Sequence, residues 1–263
     1  LVLALEQGEL TVALTPERLA AAQASGWLEG DASPLLLQGD RLGWRRWLQA
    51  MEQVVAVLVE RAHAPLPKPV EAVDPERSDR LNAEQCSAVR ALDQASVVLL
   101  SGGPGTGKTS TVVEILARAE ARHPGLRIGL AAPTGKAARR LGEAVMAQRA
   151  PLPCSTLHRW LEAGSRGFGR HRQRPLELDL LVIDEMSMLD LALTQALLEA
   201  LPSGCRLLLV GDPAQLPPVG SGAVWHRLQQ SDVRGRFGAG AVHLERTYRN
   251  RGALAQVAQQ LRQ

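Results

Sequence analysis

Residues 97–109 read VVLLSGGPGTGKT, an apolar run that leads into a glycine-rich turn. The residues that follow, STVVEILARAEA, have the pattern of a helix. The piece from Gly102 to Thr109 fits G-x-x-x-x-G-K-[ST], in which glycines let backbone N–H groups point at phosphate oxygens and the helix adds its positive end. Strand, loop and helix together predict a phosphate-binding loop at the edge of a sheet, and a chance glycine-rich turn is the weaker alternative.

Two side chains of this loop have defined chemical roles in such a site. Lys108 would reach the β- and γ-phosphates, and the Thr109 hydroxyl would ligate Mg²⁺. The chain has 27 Arg but only 3 Lys, which favours a role for Lys108 that a planar guanidinium does not fit. The predicted nucleotide-binding residues of the loop are Gly103, Pro104, Gly105, Thr106, Gly107, Lys108, Thr109 and Ser110.

A pair of carboxylates follows a second apolar run. Residues 178–185 read LDLLVIDE, and ligand-binding residues of α/β proteins lie at the carboxyl ends of their strands. Asp184 would bind Mg²⁺ through water, and Glu185 would polarise the attacking water. An Asp-Glu pair after a strand is a weak signal alone. Together with the phosphate loop, it predicts hydrolysis of a nucleoside triphosphate with Mg²⁺ as the cofactor.

Short apolar runs recur along residues 76–263. They include 128–133, 205–212 and 241–246, each bounded by Gly, Pro or Asp, with helical stretches between most of them. Because buried strands that alternate with helices are typical of a parallel sheet covered on both faces, the predicted fold class is α/β.

Residues 1–75 have a different sequence pattern and are predicted to form a small, mainly helical domain. Thr15-Pro16 is typical of a helix start. The runs on either side of Gln38-Gly39-Asp40 fit a small hairpin.

A long amphipathic helix is predicted from Trp44 to Ala62, because apolar residues recur there at helical spacing. Its tryptophans, Trp44 and Trp47, favour core packing, with a docking surface for another subunit as the alternative. The prolines of residues 63–75 predict a linker and place the domain boundary there.

Composition excludes several classes of protein. The 263 residues are 45% hydrophobic and 22% charged, as in ordinary globular domains, and no apolar run reaches the ~18 residues that span a membrane. The three cysteines are scattered, which indicates a reduced, cytoplasmic setting. The net charge of +3 is uneven, since residues 1–75 carry 6 Lys and Arg against 10 Asp and Glu. The remaining basic excess weakly favours a polyanionic partner.

The order of motifs resembles superfamily 1 helicases, and most closely the RecD family, the alpha subunit of exodeoxyribonuclease V. The resemblance extends from about residue 81 to the end, and WRRWLQAME adds a weaker match before it. The motifs that carry it are LNAEQCSAV (81–89), GGPGTGKT (102–109), APTGKAARRL (132–141), STLHRWL (155–161), IDEMSMLD (183–190), GDPAQLPPVG (211–220) and LERTYR (244–249).

The resemblance implies a RecA-like P-loop NTPase domain and assigns further residues to ATP. Gln85 would read the adenine edge, which an amide can do with one donor and one acceptor. Gln215 would contact the γ-phosphate and pass that signal to the DNA site. Arg249 would approach the γ-phosphate and neutralise charge in the transition state, and Arg246, three residues earlier, is a competing candidate.

Other motifs of the resemblance are implied to contact single-stranded DNA. The loop after the strand at 128–133 is one, although a capped helix with a solvated basic face explains it about as well. His158 alone is more often a structural histidine. The predicted DNA-binding residues are Thr134, Gly135, Lys136, Arg139, Thr156, His158 and Phe168.

An arginine-rich insertion at about residues 163–176 reads AGSRGFGRHRQRPL. Its three glycines suggest a hairpin, which in related helicases forms a pin that helps to split the duplex. Phe168 would be an apolar tip for base stacking. The alternative is a disordered basic loop that only raises non-specific affinity.

The expected function is therefore an ATP-dependent DNA helicase or translocase, for which the resemblance implies 5′→3′ polarity and a place among the subunits of an exodeoxyribonuclease V complex. Single-stranded DNA and a duplex junction are the expected ligands, with no membrane partner. The first residue is Leu1 rather than Met and the motifs of a second motor domain are missing, so we expect a fragment that is inactive alone as a helicase. The alternatives are an ATP-binding assembly or regulatory subunit without motor activity, and an RNA helicase of the same superfamily.

Overall fold

The structure is a computed structural model that describes residues 1–6, 8–30, 32–66 and 81–248. Its first part combines three helices with a three-stranded antiparallel sheet of order β1-β3-β2. The elements are α1 (Val2–Glu6), β1 (Thr11–Ala13), α2 (Pro16–Ala24), β2 (Leu35–Gln38), β3 (Arg41–Trp44) and α3 (Arg45–Ala62).

Local signals of the sequence account for these elements. The Thr15 side chain accepts a hydrogen bond from the Arg18 backbone N–H and caps α2, with Pro16 at the first helical position. The predicted hairpin is confirmed as β2 and β3, with Gly39 in the left-handed region at φ 63°. The predicted linker spans residues 63–75, and the predicted domain boundary after residue 75 lies outside the described residues.

The second part has a six-stranded sheet in which every neighbouring pair is parallel, so the predicted α/β class is confirmed. The strand order is β11-β4-β10-β9-β5-β6. Its elements are α4 (Ala83–Ala91), β4 (Val97–Gly102), α5 (Lys108–Arg122), β5 (Ile128–Ala132), α6 (Gly135–Met146), β6 (Cys154–Thr156), α7 (Leu157–Trp160), β7 (Ala163–Gly164), β8 (Gly167–Phe168), β9 (Leu180–Ile183), α8 (Leu191–Ala200), β10 (Arg206–Gly211), α9 (Val224–Gln229), α10 (Ser231–Arg234) and β11 (Ala241–Leu244).

Five of these six strands fall within the predicted apolar runs. The sixth, β6, was not predicted, because its three residues Cys154–Thr156 give no apolar signal. It nevertheless pairs with β5, where Ala132 lies beside Thr156.

Each central strand sends alternate side chains into two hydrophobic cores. Val97 and Leu99 of β4 face one core, whereas Val98 and Leu100 face the other. Helices α4, α5 and α6 contribute to the second core and α8 to the first. The burial on both faces is what a parallel sheet requires.

Helix α3 belongs to the first core as well. Its residues Met51, Val55 and Leu58 are no more than 5% exposed and lie in the same cluster as Leu99 of the sheet. One face of the parallel sheet is therefore covered in part by the first 66 residues. No helix in the described ranges has both the length and the apolar character needed to cross a bilayer.

Candidate functional site

The carboxyl ends of the central strands open into a cleft of about 900 Å³. The phosphate loop follows β4, Asp212 follows β10, and Asp184 follows β9, so three neighbouring strands deliver their polar residues to one place. The residues lining this cleft include Gly103, Pro104, Gly105, Gly107, Lys108, Thr109, Ser110, Arg140, Asp184, Glu185, Asp212, Gln215 and Tyr248.

The phosphate loop holds its shape through its own hydrogen bonds. Gly105 and Gly107 have φ angles of 79° and 86°, a region that favours glycine, and Gly107 is the N-cap residue of helix α5. The buried Thr106 hydroxyl donates to the carbonyl oxygen of Gly103 at 2.9 Å. The ammonium of Lys108 donates to the carbonyl oxygens of Gly102 and Gly103 at 2.6 and 3.0 Å. The loop thus presents its lysine at the cleft from a backbone that is already ordered.

Gln85 lies beneath this loop. It is 3% exposed, and its side-chain oxygen accepts the Asn82 backbone N–H at 3.1 Å in a capping box at the start of α4. A Cβ added at Gly107 would lie 2.6 Å from the Gln85 amide nitrogen, so these two residues pack directly. Its contacts are those of a residue that supports the loop, and its predicted contact with adenine stays a prediction.

Asp184 and Glu185 follow β9 through a sharp turn. Glu185 has φ 56° and ψ 44°, a left-handed conformation that non-glycine residues rarely adopt outside functional sites. Its backbone N–H donates to Asp184 Oδ1 at 2.9 Å. Burial raises the pKa of Asp184 above its ordinary value, and the charge of Glu185 adds to this effect, while Lys108 and Arg140 oppose it.

These groups fit a divalent cation. Asp184 is half-buried, and its low-dielectric surroundings disfavour the charged form of its carboxylate, so a nearby cation would stabilise that form. The exposed Thr109 lines the same cleft. Among the described residues no three His, Cys, Asp or Glu side chains form a metal-binding cluster. A cation here would therefore be held by few protein oxygens and by phosphate, as is usual for Mg²⁺.

Gln215 reaches the cleft from the loop after β10. Its backbone N–H donates to the Asp212 carbonyl oxygen at 3.3 Å, and Asp212 Oδ1 accepts the Ala214 N–H at 2.9 Å, which closes an Asx turn. The Gln215 side-chain oxygen accepts a hydrogen bond from the hydroxyl of Ser187 at 2.6 Å. Asp212 is only 4% exposed and lines the cleft, although its position in the sequence indicates no more than a turn.

Two further residues of the cleft were not predicted there. Arg140 is an exposed residue of α6 whose charge acts on Asp184, whereas the motif had pointed to the neighbouring Arg139 for DNA. Tyr248 donates its backbone N–H to the carbonyl oxygen of Gly105 at 2.8 Å. The guanidinium of Arg246 lies over the Tyr248 ring, 5.5 Å from its centre, and Arg249 lies outside the described residues.

The predicted DNA residues gather at the other half of the same sheet edge. Thr134 follows β5, and Thr156 is the last residue of the adjacent strand β6. Both act as N-caps, accepting the backbone N–H groups of Ala137 and Arg159. The remaining residues of the first motif are on the surface: Gly135, Lys136 and Arg139 are exposed. The capping explanation for the threonines and a basic surface are thus both present.

The arginine-rich segment is an ordered hairpin rather than a loop without structure. Strands β7 and β8 pair Ala163 with Phe168 and Gly164 with Gly167. Phe168 is 37% exposed, and its ring centre lies 6.4 Å from that of His158. The hairpin therefore brings two of the predicted DNA residues together.

Glu162, just before this hairpin, anchors two of its arginines. Glu162 Oε1 accepts from Arg170 Nε at 2.8 Å, and Oε2 accepts from Arg174 Nη1 at 2.6 Å. The hydrogen bond from Arg170 is the main reason that the pKa of Glu162 lies below its ordinary value, and Arg174 adds to it. Arg166 and Arg172 are exposed, and Arg174 is exposed as well although it binds Glu162. Sequence reasoning missed this anchor because the acid lies one residue before the segment.

A family model described as an AAA domain matches residues 85–221, which is more than half of the chain. The chain belongs to this family. The matched range of the chain contains the phosphate loop, Asp184-Glu185 and Gln215.

Relatives of this chain confirm its resemblance to the RecD family. The "ATP-dependent RecD2 DNA helicase" of Deinococcus radiodurans is 48% identical over 54% of this chain and 19% of that protein. The "RecBCD enzyme subunit RecD" of Mycolicibacterium smegmatis is 39% identical over 91% of this chain and 46% of that protein. The chain thus spans less than half the length of these relatives. A solved structure of Bacteroides Pif1 bound to ssDNA has 25% identity and a TM-score of 0.45, covering 69% of this chain and 46% of that one.

Proposed function

We propose that this chain is the ATP-binding part of a motor that moves on single-stranded DNA. The observation that supports this most is the shared cleft, because Lys108, Asp184, Glu185 and Gln215 come from three separate strands and meet at one sheet edge. Lys108 would neutralise the β- and γ-phosphates. Asp184 and Thr109 would hold Mg²⁺, whose charge stabilises the leaving phosphate oxygens. Glu185 would orient and deprotonate the attacking water.

The second half of the sheet edge supports the nucleic-acid part of the proposal. Lys136 and Arg139 would contact phosphates of the strand, and Thr134 and Thr156 would add hydroxyl contacts. The exposed Phe168, beside His158, would stack on a base at a duplex junction, where the hairpin would act as a pin. ATP and DNA would thus bind to adjacent strand ends of one rigid sheet.

Direction and assembly go beyond these comparisons and come from the resemblance to the RecD family. Two relatives are named as an ATP-dependent DNA helicase and a subunit of the RecBCD enzyme. We extend to this chain 5′→3′ movement and a place in an exodeoxyribonuclease V complex. Co-purification from cells that express the intact protein tests the second point, and unwinding of substrates with a single 5′ or 3′ tail tests the first.

A second candidate function, that of a docking subunit, is favoured by the surface of the first 66 residues. A groove beside α3 is lined by Val2, Leu5, Trp44 and Trp47, and both Val2 and the neighbouring Leu3 are more than 60% exposed. Apolar and aromatic exposure of this kind is typical of protein interfaces. Docking would add to motor activity if hydrolysis is found and replace it if hydrolysis is absent.

The substitution Glu185→Gln in the intact protein tests the motor assignment. It keeps the size of the side chain and removes the base, so DNA-stimulated ATP hydrolysis should fall by ~10²–10⁴-fold while ATP binding persists. Glu199→Gln, on the exposed face of α8, is the matched control. Hydrolysis at the unsubstituted rate in Glu185→Gln would contradict the assignment. Comparison of DNA with RNA of the same sequence as activator separates a DNA motor from an RNA helicase.

A further inference from the structure

Ser187 carries a buried hydroxyl that has no role in the predicted chemistry. It is 0% exposed and lies in the 3-10 turn Met186–Met188, directly after Asp184-Glu185. Its hydroxyl donates to Gln215 Oε1 at 2.6 Å, a short bond between two loops that are 28 residues apart in the chain.

The turn that carries Ser187 is fixed on both sides. Met186 and Leu189 are 1% and 0% exposed and anchor the turn in the core under the sheet. The left-handed backbone at Glu185 turns the chain back, and the Met188 N–H donates to the Glu185 carbonyl oxygen at 3.0 Å. Ser187 consequently has little freedom to move, and its hydroxyl is held at one point beneath the cleft.

Gln215, by contrast, is exposed and lies on a loop. The Asx turn at Asp212 fixes its backbone, but a glutamine side chain has three rotatable bonds, and its amide can present either the oxygen or the nitrogen to a ligand. The bond from Ser187 is made to the oxygen, so the two N–H donors of Nε2 are left for a ligand. A phosphate oxygen accepts hydrogen bonds and never donates them when fully ionised, which makes this orientation the productive one.

We propose that Ser187 is a positioning residue that holds the amide of Gln215 with its nitrogen toward the γ-phosphate. This inference rests on the proposed function, since it gives Gln215 a phosphate to contact. Because the Ser187 hydroxyl is held in place, the Gln215 amide is oriented before the nucleotide binds. One side-chain bond thereby ties the loop after β10 to the segment that carries Asp184 and Glu185.

A double-mutant cycle in the intact protein tests the inference, with Ser187→Ala, Gln215→Ala and the pair together. Ser187→Ala should lower kcat for DNA-stimulated ATP hydrolysis about 5- to 10-fold, the effect of one lost hydrogen bond. The affinity for ADP should stay within about twofold, because ADP has no γ-phosphate for Gln215 to contact. The double variant should be no slower than Gln215→Ala alone.

Two further variants complete the experiment. Ser33→Ala removes another buried hydroxyl, 5% exposed and bonded to the Leu35 carbonyl oxygen at 2.9 Å, and should leave all these quantities unchanged. Ser187→Cys fills the same space with a poor donor, so it should show the same loss in kcat even if the alanine variant does not fold.

The cycle has outcomes that overturn the inference. Additive losses from Ser187→Ala and Gln215→Ala would show that Ser187 acts independently of Gln215. An unchanged kcat in both Ser187 variants, or in Gln215→Ala, would do so as well. Each of these failures leaves the proposed function standing if Glu185→Gln still abolishes hydrolysis, and a Glu185→Gln variant that hydrolyses ATP normally would refute the proposed function itself.

Discussion

The two halves of the sheet edge are built in different ways. At the ends of β4, β10 and β9, the candidate nucleotide half is a cleft whose residues are tied to one another by short hydrogen bonds, such as Lys108 to Gly102 and Ser187 to Gln215. At the ends of β5 and β6, the candidate nucleic-acid half is an exposed surface, where Lys136 and Arg139 extend from a capped helix. A pre-organised backbone suits a compact, highly charged phosphate chain, whereas an exposed basic surface suits a long nucleic-acid backbone that moves past it.

Replacing one lysine by alanine in each half should give the largest difference between ATP hydrolysis and DNA binding. Lys108→Ala should lower DNA-stimulated hydrolysis by ~10²–10³-fold or more, since a fixed charge on the transferred phosphate is lost, and should change nucleotide-free affinity for single-stranded DNA far less. Lys136→Ala should weaken DNA binding several-fold and reduce the slope of log affinity against log salt by about 1. Steady-state kinetics and salt-dependent fluorescence titration measure the two effects. Persistent hydrolysis in Lys108→Ala would break the division of the edge into two halves.

A smaller contrast is expected inside the nucleic-acid half. Deleting residues 164–174 in the intact protein removes Phe168 and the exposed arginines, so unwinding of a forked duplex should fall by at least about tenfold, given ~1–3 kcal/mol for one stacked base. DNA-stimulated ATP hydrolysis should fall less, because Thr134, Lys136 and Thr156 remain. Unwinding and hydrolysis are measured on the same preparation. Equal losses in both would argue against a pin.

The smallest effect is expected from the anchor of the hairpin. The pKa of Glu162 is lowered, so its bonds to Arg170 and Arg174 stabilise the hairpin at pH values above the ordinary range of a glutamate, and this contribution is lost as the pH falls through the lowered pKa. Glu162→Gln should therefore cause a few-fold faster amide exchange at Gly169, whose N–H donates to the Leu161 carbonyl oxygen at 3.0 Å, and should remove its dependence on acidic pH.

Glu177→Gln is the control for that substitution. Its carboxylate is 81% exposed and lies 4.0 Å from Arg170, so it shares a partner with Glu162 but contributes little to order. Hydrogen exchange followed between about pH 3 and pH 7 distinguishes the two variants, in a range that includes the ordinary glutamate pKa. If Glu162→Gln and Glu177→Gln behave alike, the hairpin is held by its turns and not by the anchor.

The comparison of the halves also explains what the sequence could predict. The phosphate loop was predicted because its glycines meet a backbone requirement, as the φ angles at Gly105 and Gly107 show, and such requirements leave a fixed spacing. Asp184-Glu185 was predicted because a buried strand precedes it. The nucleic-acid half has no backbone requirement of this kind, so Thr134 and Thr156 are equally good as helix caps, and only the family resemblance favoured DNA.

Other features lay beyond sequence reasoning for physical reasons. The contact of Ser187 with Gln215 joins two loops whose meeting depends on the neighbouring positions of β9 and β10 in the sheet. Arg140 and Arg139 are adjacent in the chain, and the helical rotation between them decides which one reaches the cleft. Gln85 appears polar enough for the surface, yet the capping box buries it.

The packing of helix α3 limits where the protein can be truncated. Because Val55 and Leu58 are buried in the same cluster as Leu99 and Leu209 of the sheet, a shortened polypeptide that starts at Leu81 would expose an apolar face of the parallel sheet to water and would be prone to aggregation. The first 66 residues therefore contribute to the hydrophobic core of the parallel sheet. A partner that binds the first 66 residues would therefore bind an element that is packed against the sheet.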